Sequence, residues 1–275
     1  MSRFSLAGLI ALSFFLAPLT ALADEVEDAQ TRAEAAASAG DFETAAKQAT
    51  KAFSLARKTR GKDHSSVGPL ALQAGNYLLE NRQLDRAIAA FSMSVKNAVD
   101  NHGANSIKTV KPLRALAAAK LRNGDRDDAL EMYQRIATIV ERGSGEESVR
   151  TAGALVDAAR VGVSIGRYGV ARTGLRQAVR GYKKAGNEYG KQLAEAQLLL
   201  GRGYLLDKGD PMNNYPQGGE WVRKAIQGYE TNYPQGSQVT MDVYTQLLKD
   251  IAGTPMQPRM GPRLEEQLAR HKAAK

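Results

Sequence analysis

Apolar residues recur at three- and four-residue spacing along most of the chain. This spacing places them on one face of an α-helix, which has about 3.6 residues per turn. No stretch keeps the apolar–polar alternation that is typical of a strand. Three of the stripes are Ala87, Ile88, Phe91 and Val95; Leu130, Tyr133, Ile136 and Val140; and Ala171, Leu175, Ala178 and Tyr182. The pattern predicts an all-α protein.

Alanine and glycine mark an internal repeat. Ala45, Ala87, Ala129 and Ala171 each follow a short turn and are spaced 42 residues apart. Gly61, Gly103 and Gly145 keep the same interval elsewhere in the pattern. Two residue types in one period indicate a repeat rather than a compositional bias. Each unit is predicted to be a helix, a tight turn, a second helix and a glycine-marked loop, with alanine where the paired helices approach closely.

The residues around each alanine resemble the second-helix signature of tetratricopeptide (TPR) repeats. The clearest matches are Gly40, Phe42 and Ala45; Leu84, Ala87 and Phe91; and Gly166, Tyr168, Ala171 and Leu175. The 42-residue period and the loop 61–67 are similar to the long repeats typified by kinesin light chains. The resemblance implies an α-solenoid of about five helix-turn-helix repeats forming a right-handed superhelix. It is specific for the fold and implies no particular ligand, because TPR modules bind many unrelated partners.

The chain divides into four predicted segments: a signal peptide (1–23), a TPR-like repeat domain (24–233), a closing helix (234–252), and a Pro/Gly linker with a basic tail (253–275). Within the closing segment, the helix itself is predicted at Gln238–Ile251. The fifth unit is irregular, because Gly218 takes the alanine position about five residues late and implies an insertion within 210–216. The stretch around Trp221 resembles a Sel1-type unit.

Residues 1–23 have the organisation of a secretory signal peptide. Arg3 precedes an apolar stretch from Phe4 to Leu16, and the small-residue pattern Ala21-Leu22-Ala23 follows Pro18. The apolar stretch is shorter than the roughly 20 residues of a membrane-spanning helix, which favours cleavage over an uncleaved anchor. We therefore expect a soluble mature chain in the periplasm or outside the cell.

Charge and composition narrow the range of partners. The chain carries 38 Lys and Arg against 29 Asp and Glu, a formal net charge of +9, which favours acidic partners. The predicted export argues against nucleic acid. Cysteine is absent, and His64, His102 and His271 lack the spacing of metal ligands. No P-loop or dinucleotide fingerprint occurs. We expect no catalysis, no metal site and no cofactor.

A binding groove follows from the TPR resemblance, because the first helices of successive TPR units line the concave surface. The residues predicted to line this groove are Leu72, Asn76, Arg114, Arg160, Leu198 and Arg202, with Val156 as an apolar neighbour. Arg160 and Arg202 are one period apart and are expected to be exposed, and guanidinium groups suit carboxylates. The set is similar to the carboxylate clamp of peptide-binding TPR domains, which implies an acidic peptide or a free C-terminus. The alternative is that these arginines are solvated surface residues.

These observations predict an exported scaffold or adaptor that binds another envelope or secreted protein through its concave groove. A structural or assembly component of an envelope complex, acting through its convex face or basic tail, is the alternative. A third hypothesis is peripheral contact with the membrane or a wall polymer through the basic surface. A murein-cleaving enzyme is the least favoured, because only about 40 residues remain after the repeats for a catalytic domain.

Overall fold

The computed structural model describes residues 24–275, so the predicted signal peptide lies outside the described residues. Those residues form twelve α-helices and no strand. The helices are α1 (residues 24–38), α2 (Phe42–Arg60), α3 (Val67–Glu80), α4 (Leu84–His102), α5 (Val110–Asn123), α6 (Arg126–Ser144), α7 (Val149–Ser164), α8 (Tyr168–Ala185), α9 (Gly190–Leu205), α10 (Pro211–Asn232), α11 (Gln238–Ile251) and α12 (Gln257–Ala273). The prediction of an all-α fold is confirmed. Within residues 24–275, no helix is long and apolar enough to span a membrane.

The backbone conformation of the turn within each helix pair repeats with the same 42-residue period as the sequence. The turns between the first and second helices of three pairs contain Gly40, Gly124 and Gly166, with φ of +78°, +94° and +79°. This left-handed region favours glycine, which has no Cβ. Arg82 takes the corresponding place between α3 and α4, with φ of +57°. Successive helix pairs therefore reuse one turn geometry.

Small residues let the two helices of a pair approach closely. The four alanines of the 42-residue series are at most 2% exposed. A Cβ added at Gly75 in α3 would lie 2.5 Å from the ring of Phe91 in α4. A Cβ at Gly201 in α9 would lie 2.8 Å from Val222 in α10. In both pairs the glycine makes room for a large side chain of the second helix.

The described chain divides into two compact units, one ending at Ala129 and one beginning at Leu130. In the first unit, a core cluster joins α1, α2 and α3 through residues that include Val26, Phe53 and Leu70. In the second unit, one cluster joins α7, α8 and α9, and a second joins α9 to α12. The last two helices are thus part of the core of the second unit.

The C-terminal segment corrects the prediction of a linker and basic tail over residues 253–275. Gln257–Ala273 form α12, so α11 and α12 make a sixth helix pair. Pro258 lies in the first turn, where a backbone N–H has no partner within the helix. Met256, Met260, Leu264 and Leu268 recur every four residues, and Met256 and Leu264 are buried in the core cluster. This stripe outweighs the helix-breaking tendency of the prolines.

The insertion in the fifth pair lengthens a helix. Asp210 caps α10, its side chain accepting a hydrogen bond from the backbone N–H of Asn213 at 3.4 Å, and Pro211 is the first helical residue. The added residues therefore form the first turns of this 22-residue helix. Gly218 lies at the alanine position, where a Cβ would be 2.8 Å from Leu205. The likeness to a Sel1-type unit stays a prediction.

Candidate functional site

The predicted groove residues all lie on first helices of pairs, but in two different units. In the first unit, Leu72 and Asn76 lie on α3 and Arg114 on α5. In the second unit, Arg160 lies on α7, and Leu198 and Arg202 on α9.

A cavity of about 520 Å³ opens on the first helices of the first unit. Its lining includes Leu72 and Asn76 of α3 and Lys111 of α5, with Gln30 from α1. Leu72 is largely buried, whereas Asn76 is exposed. The structure thus brings together two of the residues that the 42-residue spacing selects. Arg114 is exposed on α5 but is not part of this lining.

Gln73 is the polar residue of this cavity that sequence reasoning missed. Its Nε2 donates a hydrogen bond to Oε1 of Glu34 on α1 at 2.9 Å. Its Oε1 is buried and makes no hydrogen bond within residues 24–275. An unsatisfied buried acceptor costs about 1–3 kcal/mol, and its burial keeps it out of reach of a ligand. The position of Gln73, three residues before Asn76 on the same helix, is the signal that could have identified it.

Two cationic side chains, Lys111 and Arg60, line this cavity. Lys111 is exposed, and its amine makes no ion pair in the described part of the chain. Arg60 also lines the cavity, but its Nη1 donates to Oγ of Ser66 at 3.1 Å. Tyr77 and Leu72 supply apolar surface beside these groups. The cavity therefore combines two cations and the exposed amide of Asn76 with an apolar wall.

In the second unit, Arg160 joins two first helices. Its guanidinium contacts Asp157 of α7 at 3.4 Å and forms a closer ion pair with Glu195 of α9. The Arg160 side chain is 54% exposed, and exposed ion pairs contribute only about 0–1 kcal/mol to stability. Arg160 is therefore accessible, but its charge is matched by two carboxylates of the same unit.

Arg202 corrects the expectation of a second exposed groove arginine. Its Nε lies 2.6 Å from Oδ2 of Asp250 on α11, and its Nη2 donates to Oδ1 at 3.3 Å. The Asp250 side chain is only 6% exposed, so this carboxylate requires a cation beside it. Leu198 is also buried, within the core cluster. The one-period spacing of Arg160 and Arg202 therefore reflects contacts between neighbouring first helices.

The strongest pKa shifts belong to tyrosines of the cores. Burial raises the pKa of Tyr182 to about 12 and also raises that of Tyr229. Both phenols pack in hydrophobic clusters and stay neutral at physiological pH. No group of three or more potential metal ligands occurs among residues 24–275. Tyr182 and Tyr229 are therefore part of the hydrophobic packing of the second unit.

Comparison with known proteins agrees with this architecture. A tetratricopeptide repeat family model matches residues 108–184. The crystal structure of BtubC (BKLC) from P. vanneervenii is 16% identical, with a TM-score of 0.59 over 78% of this chain and 92% of that chain. A Podosopora anserina structure of nearly identical TPR-like repeats of the kinesin light chain type is also 16% identical, with a TM-score of 0.61 over 78% of this chain and 99% of that chain. No curated protein sequence matches the chain.

The two solved structures show the fold, and the family model identifies the repeat type. The helix-turn-helix units of 42 residues, read from the alanine and glycine series, are thereby confirmed as an all-α repeat solenoid.

Proposed function

We propose that the chain is an exported scaffold that binds a segment of another protein on the first-helix surface of its first unit, because a tetratricopeptide repeat family model matches residues 108–184. TPR repeats suggest protein–protein interaction, and the fold is typical of scaffolds without catalysis. Export rests on the signal-like organisation of residues 1–23. The partner is accordingly an envelope or secreted protein.

The observation that carries the proposal is the cavity beside Asn76. The exposed amide of Asn76 can pair with the backbone of an extended segment. Lys111 suits an acidic side chain or a C-terminal carboxylate. Leu72 and Tyr77 offer contact to an apolar side chain of the same segment. The second-unit arginines at 160 and 202 do not contribute to this recognition, because carboxylates of their own unit neutralise them.

A photo-reactive amino acid at position 76 tests the proposal in the producing cell. The matched control is position 92, because Ser92 is exposed on α4, the second helix of the same pair. We expect a discrete cross-linked protein from position 76 that is absent from position 92. Equal products from both positions, or none from position 76, would rule out this surface.

A further inference from the structure

A cleft of about 740 Å³ lies in the second unit, between α10 and α12, with Tyr244 of α11 in its lining. Its apolar lining includes Ile226, Met256, Met260 and Leu264. Gly219 also lines it, and a Cβ there would lie 2.8 Å from Cε of Met256. Glycine at this position therefore leaves space that any side chain would take.

The rim of this cleft is strongly basic. Arg223 and Lys224 lie on α10, Arg259 and Arg263 lie on α12, and Glu230 is the one carboxylate in the described lining. Glu230 accepts a hydrogen bond from the Tyr244 hydroxyl at 2.6 Å. Lys224 pairs with Glu220 at 2.5 Å. The unpaired positive charge in the lining therefore comes from Arg223, Arg259 and Arg263.

The guanidinium groups of Arg223, Arg259 and Arg263 are exposed and make no ion pair or hydrogen bond within residues 24–275. In the same unit, Arg160 and Arg202 are paired with carboxylates. Like charges lining one cleft repel one another, and a bound anion relieves this repulsion. The cleft therefore favours a ligand with more than one negative charge.

The apolar lining favours a ligand that carries an apolar group as well as negative charges. Methionine side chains are flexible and polarisable, so Met256 and Met260 can adapt to different apolar groups. The amides of Gln227 and Gln267 also line the cleft and can bond to a peptide backbone. In a peptide whose acidic residues flank an apolar side chain, the apolar side chain would contact the apolar lining and the acidic residues would pair with the arginines of the rim.

We propose that the cleft between α10 and α12 docks a partner segment in which acidic residues flank an apolar side chain. The helices α10 and α12 are second helices of pairs in the second unit, whereas α3 and α5 are first helices in the first unit. The inference therefore stands or fails independently of the surface beside Asn76. Residues 1–23 of the chain contain no acidic residue and do not match the arginines. The occupant is therefore an acidic segment of another protein.

Selection of short random peptides on the immobilised Asn76→Ala/Lys111→Glu variant, in which the first-unit surface is altered, tests this proposal. We expect enrichment of peptides with Asp or Glu on both sides of Leu, Ile, Phe or Met. Fluorescence anisotropy of the consensus peptide should show affinity at least about tenfold weaker for Arg259→Glu/Arg263→Glu, because each reversal replaces a charge-assisted contact with repulsion. Replacing the apolar residue of the peptide by Ser should also weaken binding.

Arg150→Glu/Lys183→Glu is the matched control. Both side chains are exposed on other helices of the same unit, and the change in net charge is the same. This control should bind the peptide like the unchanged protein, and circular dichroism should show both variants folded. The proposal is overturned by selection of peptides without the acidic–apolar pattern, by failure to select any, or by equal binding to the cleft variant. It is also overturned if only phosphatidylglycerol vesicles or a second copy of the chain compete for the cleft.

Discussion

Arg82 is the one non-glycine residue with positive φ among residues 24–275. It occupies the turn position that Gly40, Gly124 and Gly166 take in other pairs. An L-residue in the left-handed region costs about 1–2 kcal/mol, which exceeds the roughly 0.5–1 kcal/mol of entropy that glycine loses on folding. The repeat therefore carries a small strain at this turn.

Arg82→Gly should raise the free energy of unfolding by about 0.5–1 kcal/mol, because it relieves that strain. The converse change, Gly124→Ala, should lower it by about 0.5–1 kcal/mol, since no atom lies within 4 Å of the added Cβ and the conformational strain outweighs the entropy that alanine saves. Urea denaturation checks both. A lower stability for Arg82→Gly would contradict this assignment of strain.

A threonine hydroxyl secures two of the loops between pairs. Oγ1 of Thr109 donates to the carbonyl of Gly103 at 3.0 Å, and Oγ1 of Thr151 donates to the carbonyl of Gly145 at 2.7 Å. The corresponding residue one period earlier is Val67, which has no hydroxyl. Near that residue, Asn97 donates to the carbonyls of the loop instead. The carbonyl groups of these loops thus accept hydrogen bonds from threonine in two repeats and from asparagine in another.

Thr151→Val should lower the free energy of unfolding by about 1–3 kcal/mol, because it removes a hydrogen bond from a buried hydroxyl while keeping the side-chain shape. Thr173→Val on α8 is the control, since its hydroxyl is exposed, and its effect should stay within about 0.5 kcal/mol. Equal effects of the two changes in urea denaturation would refute this role.

At the scale of elements, ion pairs link the first helices of successive pairs in the second unit. Arg160 joins α7 to α9, and Arg202 joins α9 to α11. The two links differ in burial, because Asp250 is 6% exposed and Glu195 is 38% exposed. Removing one partner of a buried pair leaves a carboxylate without a counter-charge, whereas an exposed carboxylate is solvated by water.

Arg202→Ala should therefore lower the free energy of unfolding by about 2–4 kcal/mol, whereas Arg160→Ala should change it by no more than about 1 kcal/mol. The two variants serve as controls for each other, since each removes one arginine from a first helix. Thermal unfolding by circular dichroism separates them. Equal losses would contradict the structural role of the Arg202–Asp250 pair.

Sequence reasoning recovered the elements whose signal lies within one repeat. The buried alanines at 45, 87, 129 and 171 and the turns before them depend on contacts between helices that are adjacent in the chain. The partners of Arg160 and Arg202 lie 35 and 48 residues away, so spacing alone suggested exposed groove residues. The Pro and Gly residues between 253 and 262 predict a linker, whereas α12 is stabilised by the packing of Met256 and Leu264 in the core cluster of the second unit. The basic cleft followed from that helix and was missed with it.

At the scale of the whole molecule, export stays a prediction from residues 1–23. If the chain is cleaved after Ala23, mass spectrometry of the mature protein should find Asp24 at its N-terminus. Protein from the producing cell that retains Met1 would contradict cleavage.

The central claim is that this α-solenoid recognises a protein segment on the first-helix surface of its first unit. Isothermal titration of the segment cross-linked at position 76 tests it most directly, with Asn76→Ala/Lys111→Glu as the variant.

Both changes are compatible with the fold, because Asn76 is exposed within a helix and Lys111 lies in the first turn of α5, where a carboxylate is favourable. The control Ser92→Ala/Lys51→Glu likewise replaces one polar residue by alanine and one lysine by glutamate, at exposed positions on second helices. We predict that the variant binds about tenfold or more weakly, since a charged contact contributes about 1.5–3 kcal/mol, and that the control binds normally. Equal affinity of the variant and the unchanged protein would contradict the claim.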